Sequence, residues 1–185
     1  MPEHRDGTPT HLRDLESFLW WDFDDLATWA SWVGQRGGSA AAAKASFEVA
    51  LQTQQILREL EAAHNGGETG DAIDRLNAAI AARDIRPRAG RDGSMGFEPA
   101  NRLDPVGRVL ALVLRAMVEG SWRRFKLCHD SGCRASYYDA TRNAAKTWCS
   151  METCGSRNKM RRFRAKPGQA QADTLADAPP GRRKR

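Results

Sequence analysis

Long apolar runs are missing from this chain. The longest wholly apolar stretch is VLALVL, which covers only residues 109–114, whereas a membrane-spanning helix needs about 20 apolar residues. The opening sequence MPEHRDGTPTH contains no apolar signal core, so we do not expect secretion. These absences predict a cytoplasmic protein without a membrane partner.

The signatures of common catalytic sites are also missing. The histidines are isolated from one another, and the sequence has no HExxH motif, no glycine-rich phosphate loop and no nucleophile elbow. The carboxylates of Asp22, Asp24 and Asp25 are interpreted as helix caps and solvated groups, not as an acid–base pair. We therefore expect a protein that is not an enzyme.

Cysteine is scarce, and its distribution is uneven. All four cysteines fall in residues 128–154, as two C-x4-C pairs separated by a fifteen-residue spacer. Buried structural thiols are typically scattered along a chain, which these are not. The spacing within each pair is too wide for a CxxC redox motif, and disulfides are rare in a reducing compartment. Four thiolates satisfy a structural Zn²⁺ ion. The sequence therefore predicts one zinc site with the ligands Cys128, Cys133, Cys149 and Cys154.

His129 is the alternative ligand at this site. It directly follows Cys128, and adjacent side chains point apart, so the two cannot easily bind the same ion. We expect the four thiolates to complete the shell without it.

Helical patterns fill the chain before the cysteines. Asp24 or Asp25 precedes an apolar helix, and Asp104 with Pro105 opens the clearest one, because proline is favoured at the first helical position. Residues 84–103 predict a loop with a short hairpin at RDGS. The predicted fold class is mainly α, a helical N-terminal domain followed by a small four-cysteine zinc finger. The predicted boundaries are 12–120 for the helical domain, 122–166 for the finger and 167–185 for a disordered tail.

The finger is predicted to contain a short β-hairpin and a basic helix. Tyr137 and Trp148 flank the turn sequence DATRN and indicate the hairpin, and CGSRNKMRRFRAK predicts a helix that begins at Cys154. Met160 and Phe163 share one face of this helix, which we expect to pack on the zinc knuckle. A module of this size buries little surface, so zinc would supply the missing stability.

Positive charge is concentrated in the finger. Residues 121–166 contain 12 Lys/Arg against 3 Asp/Glu, whereas residues 1–120 contain 13 against 18. A basic module on an acidic body is typical of polyanion binding, and the lack of an aromatic-rich RNA-binding strand favours duplex DNA. The predicted nucleic-acid contacts are Arg142, Lys146, Arg157, Lys159, Arg161, Arg162, Arg164 and Lys166. Two alternatives stay open: a zinc-stabilised module that docks on protein or RNA, and a redox sensor whose oxidised thiolates release the metal.

The finger segment resembles a known bacterial family. The motifs are Cys128-x4-Cys133, the Tyr-Tyr-Asp and Arg-Asn stretches at 137–143, and WCSMETCGSRNK at 148–159. They are similar to the CGNR-type zinc finger, which follows a helical ABATE domain, and LQTQQILREL, IDRLNAAIAA and LDPVGRVLALV look like that domain. Two features depart from the family pattern, since Ser156 replaces the motif's asparagine and the usual Asn-Thr near the N-terminus is missing.

The resemblance implies a zinc-binding, stress-related transcription regulator located at the nucleoid. The finger would bind DNA, and the helical domain would sense a small molecule or another stress signal. Such a layout is compatible with a homodimer that binds two half-sites.

Overall fold

The structure, a computed structural model, describes residues 7–165, and α-helix is the main element in that part of the chain. The mainly α prediction is confirmed. Within this part, no helix is long and apolar enough to cross a membrane. The predicted disordered tail lies outside the described residues. The helices are α1 (Arg13–Trp20), α2 (Leu26–Gly34), α3 (Ala40–Ala63), α4 (Ala72–Ala81), α5 (Pro105–Val118) and α6 (Ser156–Arg164).

Two short antiparallel hairpins join the helices. The first pairs β1 (Arg86–Ala89) with β2 (Met95–Glu98), around the RDGS turn predicted from the sequence. The second pairs β3 (Phe125–Leu127) with β4 (Ser136–Tyr138). The predicted hairpin between Tyr137 and Trp148 is wrong, because residues 139–149 contain no strand. Tyr137 instead pairs with Lys126, in the strand that precedes it along the chain.

Capping carboxylates fix the starts of two helices where the sequence predicts them. The Asp25 side chain accepts a hydrogen bond from the Thr28 amide at 2.8 Å, and Asp104 accepts one from the Val106 amide at 3.0 Å. Each carboxylate satisfies an amide that has no partner within its helix. The sequence does not indicate the start of α1, because Leu12 at its N-cap position offers no side-chain cap.

Aromatic side chains near the N-terminus form the core rather than a docking surface. Trp29 and Trp32 stack with ring centroids 5.1 Å apart, and Phe23 meets Trp29 edge-on at 4.9 Å. Both indole N–H groups have partners, since Trp29 donates to the Ala43 carbonyl and Trp32 to the Ser17 hydroxyl. Burial of such large rings with satisfied N–H groups stabilises the helical body.

The described residues form two compact units, residues 7–149 and residues 150–165. The first unit contains α1–α5 and both hairpins, and the second contains α6. In the first unit, the two residues that follow the end of α3 bind the β3–β4 hairpin. His64 Nδ1 donates to the Phe125 carbonyl at 2.7 Å, and Asn65 donates to the Leu127 carbonyl at 2.6 Å. These bonds satisfy the outer edge of β3, which would otherwise be open.

A buried carboxyl group lies in the same contact between α3 and the hairpin. Glu61 is fully buried, and its Oε2 atom accepts a hydrogen bond from the Ser136 hydroxyl at 2.6 Å. Its Oε1 atom has no hydrogen-bond partner among the residues that the structure describes. Burial raises the pKa of Glu61 to about 8, and the Ser136 hydrogen bond opposes this rise only in part. The folded protein therefore favours the neutral carboxylic acid.

We expect Glu61→Gln to stabilise the protein increasingly as the pH rises. A raised folded-state pKa stabilises the fold fully below the unfolded value of 4.5, and this contribution disappears as the pH rises through about 8. Glutamine stays neutral throughout. Urea unfolding across this pH range should show a growing advantage for the variant, and Glu48→Gln, an exposed site on the same helix, should show none. A pH-independent difference for Glu61→Gln would contradict the assignment.

Candidate metal centre and nucleic-acid interface

The four cysteine sulfurs lie together and fit one tetrahedral metal ion. All four cysteines are free of disulfides, and their sulfurs lie within 4.8 Å of one another. The sulfurs of Cys133 and Cys149 are 3.7 Å apart. In a tetrahedral zinc site with Zn–S bonds of about 2.3 Å, neighbouring sulfurs are about 3.8 Å apart. The donor set is the closed four-thiolate shell of a structural zinc site.

The first cysteine pair is positioned by the end of β3 and the knuckle that follows it. The Cys128 amide donates to the Ala135 carbonyl at 2.9 Å, and the Cys133 amide donates to the Asp130 carbonyl at 2.8 Å. Arg134 adopts a positive φ of 50°, which turns the chain back towards β4. This knuckle places Cys128 and Cys133 on the same side of the hairpin end.

Burial of Cys128 favours its neutral thiol unless a cation lies close to the sulfur. Burial raises the pKa of Cys128, and the nearby Cys149 thiol raises it further, while the Cys149 amide partly offsets this effect. That amide lies 3.5 Å from the Cys128 sulfur. A bound Zn²⁺ supplies the positive charge that keeps both thiolates ionised. His129 is exposed and is not part of the donor cluster.

Cys154 lies in a wide helical turn, Met151–Gly155, directly before α6. The Ser150 hydroxyl caps this turn by accepting from the Thr153 amide at 3.3 Å, and the Asn158 side chain donates to the Cys154 carbonyl at 2.9 Å. Ser156, which replaces the family's asparagine, donates to the Met151 carbonyl at 3.2 Å. The substitution therefore keeps a side-chain hydrogen bond within the turn.

Comparison with known families also indicates a zinc finger that contains the four cysteines. The family model described as the CGNR zinc finger matches residues 124–167, which include all four cysteines. Residues 124–167 are a CGNR zinc finger. No curated protein matches the chain. The matched region does not include the helical body. The resemblance of that body to an ABATE domain therefore stays a prediction.

A buried ion pair fixes the loop that joins the two cysteine pairs of the CGNR finger. The Lys126 ammonium lies 2.9 Å from the Asp139 carboxylate, and the two side chains are only 5% and 0% exposed. Lys126 also donates to the carbonyls of Ala144 and Lys146. All three ammonium protons therefore have acceptors.

Asp139 fixes the loop that replaces the expected hairpin. Its Oδ1 atom accepts from the amide and hydroxyl of Thr141, at 3.0 and 2.6 Å, and Oδ2 accepts from the Lys146 amide at 2.8 Å. Burial alone raises the pKa of Asp139, but the hydrogen bonds from Thr141, Lys126 and Lys146 outweigh it and lower the pKa to about 2. The loop therefore closes on a carboxylate that is charged at neutral pH. Sequence reasoning missed Lys126, whose only signal is a lysine between Phe125 and Leu127.

The predicted nucleic-acid contacts fall in both units. Arg142 is exposed in the Asp139 loop, whereas Lys146 is half-buried, with its ammonium 5.5 Å from the centre of the Tyr137 ring. Lys166 lies outside the described residues. Helix α6 exposes the other five, which are Arg157, Lys159, Arg161, Arg162 and Arg164.

The expected apolar face of α6 does not pack as the sequence predicts. Met160 is 51% exposed and Phe163 is 47% exposed, and α6 buries none of its residues. Two apolar side chains among five cations form too narrow a stripe to bury a nine-residue helix. Every residue of α6 is exposed except Asn158, which is half-buried.

Proposed function

We propose that this protein is a DNA-binding transcription regulator located at the nucleoid, with the CGNR finger as its DNA-binding part. The observation that supports the proposal is the character of α6, which has five cations, no acidic residue and no buried side chain. An isolated helix of this length is marginal in water. A polyanionic partner explains why the chain keeps such a helix directly after a zinc ligand.

Charge repulsion within α6 strengthens this argument. Arg157 and Arg161 are four residues apart, and Arg161 and Arg164 are three apart, as are Lys159 and Arg162. Like charges at these spacings destabilise a helix, by about 0.2–0.5 kcal/mol per pair. Phosphates along a DNA backbone would neutralise these side chains and release counterions, which is the main source of non-specific affinity. The zinc site would act by fixing the turn from which α6 starts.

A second candidate is docking of the finger on an acidic protein. The exposed Met160 and Phe163 favour it, since an apolar pair between cations suits a mixed acidic and apolar surface. The two functions differ in salt dependence. For DNA binding, the logarithm of the affinity falls linearly with the logarithm of the salt concentration. The affinity of a protein complex usually depends less steeply on salt.

Removing three of the α6 arginines should flatten the salt dependence of DNA binding. When Arg157, Arg161 and Arg164 are changed together to alanine, the slope of log affinity against log salt should become less negative by up to about 2.7. This value assumes that each cation neutralises one phosphate. The measurement is fluorescence anisotropy on a labelled duplex.

The matched control removes three exposed arginines of the first unit, Arg13, Arg88 and Arg91. It should leave the slope unchanged. If both triple variants lose the same affinity and slope, net charge rather than α6 carries the binding, and the proposal is wrong. If neither variant differs from the wild type, α6 is not the DNA-binding element.

A further inference from the structure

A cavity of about 360 Å³ opens in the helical body, far along the chain from the cysteines. Its walls come from α2, from β2 and from one side of α5, with residues of the Pro99–Leu103 segment at its rim. This volume lies in the range of small-molecule binding sites. The cavity therefore has room for a ligand that the zinc site and α6 do not explain.

Positive charge predominates among the side chains that line the cavity. The lining contains four arginines but only two carboxylates, those of Asp14 and Glu98. Three of the arginines pair with a carboxylate: Arg36 with Asp14 at 2.8 Å, Arg102 with Glu98 at 2.5 Å, and Arg115 with Glu119 at 2.7 Å.

Arg108 is the exception. It has no carboxylate partner within the part of the chain that the structure describes, and its Nη1 atom donates to the Arg36 carbonyl at 3.1 Å. This is the only hydrogen bond of its guanidinium among the described residues, and Arg108 is exposed and lines the cavity. An arginine with free donors beside an apolar wall is suited to bind a carboxylate in bidentate geometry.

A second arginine reinforces the positive character of this wall. The Arg36 side chain is 14% exposed and lies over the Trp32 ring at 4.0 Å. Burial lowers the pKa of Arg36, Asp14 counteracts this, and the charge of Arg108 lowers the pKa further. The charge of Arg108 is thus unfavourable to that of Arg36, and a bound anion would relieve the repulsion.

Apolar side chains form much of the remaining lining, together with His11, which bonds to Glu119. Trp32, Phe97, Val109 and Leu112 contribute to the walls, and Leu103 stands at the rim with 75% of its surface exposed. An exposed leucine beside an apolar cavity gains from a ligand that covers it, at about 25 cal/mol per Å² of apolar surface removed from water. The ligand should therefore carry an apolar body as well as an anionic group.

We propose that this cavity binds a small organic acid, with its carboxylate on Arg108 and its aromatic or branched apolar body between Trp32, Phe97 and Leu112. Arg36 is a positioning residue, since its own donors bind Asp14, Ser17 and the Trp32 carbonyl. The site lies wholly in the first unit. It goes beyond the proposed function and does not depend on DNA binding.

Direct binding to the zinc-loaded full chain tests the proposal. The probes are benzoate, 1-naphthoate and a branched aliphatic acid, with 1-naphthamide as the neutral isostere of naphthoate, measured by calorimetry up to millimolar concentrations. We expect at least one acid to saturate a single site, and naphthoate to bind more tightly than naphthamide. Arg108→Gln should weaken binding about 10-fold or more, as expected for loss of hydrogen bonds to a charged group. Arg91→Ala, an exposed arginine outside the cavity, should bind as the wild type does.

Three outcomes would overturn the proposal. The first is that no acid saturates the protein in this concentration range. The second is equal affinity for naphthoate and naphthamide, which would show that charge is not recognised. The third is unchanged affinity in Arg108→Gln. Thermal unfolding of the variant without ligand separates loss of the site from loss of the fold, and Arg108 is exposed, so the fold should persist.

Discussion

Replacing Cys149 with serine will release the metal and unfold the CGNR finger. The Cys149 sulfur lies 3.7 Å from that of Cys133, and its amide lies 3.5 Å from the Cys128 sulfur, so the residue contacts its neighbours through both groups. Serine is a poor zinc ligand, and three thiolates leave the shell open. Zinc contributes about 10–16 kcal/mol to folding in zinc-finger peptides, far more than the short elements of the finger supply.

The loss should be concentrated in the segment that the four cysteines hold, because Phe125 of the finger packs in the core of the helical body. The helical body has its own aromatic core, in which Trp29 and Trp32 are buried, and none of the four cysteines belongs to that core. Native mass spectrometry should show one zinc per wild-type chain and none in Cys149→Ser. Hydrogen exchange should rise sharply over residues 128–164 and little over α5.

Ser131→Ala is the matched control, because Ser131 is exposed in the first knuckle and is not a ligand. It should keep full zinc occupancy and wild-type exchange. Full zinc retention by Cys149→Ser would contradict the assignment of four cysteine ligands. Unchanged exchange in the finger after chelation would contradict its dependence on zinc.

Replacing Lys126 with methionine should destabilise the protein by about 3–5 kcal/mol, the usual cost of leaving a buried charge without its partner. The Asp139 side chain is completely buried beside Lys126, and the carbonyls of Ala144 and Lys146 would lose a donor as well. Urea unfolding of the zinc-loaded protein measures the loss.

The double variant Lys126→Met with Asp139→Asn should recover part of that loss, because the uncompensated charge is gone.

The free energy of unfolding measured at acidic pH gives a further check. A folded-state pKa of about 2 means that Asp139 stabilises the fold above its unfolded value of 3.8, and that this contribution disappears as the pH falls through about 2. In Lys126→Met this loss should begin at higher pH. A single variant within about 1 kcal/mol of the wild type would show that the pair is not structural.

Local chemistry made several features predictable from the sequence. Asp25 and Asp104 cap the helices that follow them because a cap depends only on residues close along the chain. The four cysteines can be assigned to one metal site for a similar reason, since they form two equally spaced pairs within a short segment. The position of Cys154 directly before α6 also follows from the sequence.

Long-range contacts account for most of what the sequence could not show. Strands β3 and β4 are three residues each, which is too short for an alternating pattern, and their register is set across the first zinc knuckle. The expected strands after Tyr137 do not form because Asp139 accepts hydrogen bonds from the loop instead. Glu61 contacts Ser136 across 75 positions of the chain, and no local pattern reports such a pairing.

The affinity of the zinc-loaded protein for duplex DNA should be measured beside a chelated sample across a salt series, because it shows whether the zinc site presents α6 to DNA. We expect binding that weakens steeply with salt when zinc is present and that disappears when zinc is removed, while the helical content of the body persists. Failure of the zinc-loaded protein to bind any duplex at low salt would contradict the proposal that the finger binds DNA. Equal binding by the chelated protein would also contradict it, because the zinc site would then have no part in presenting α6.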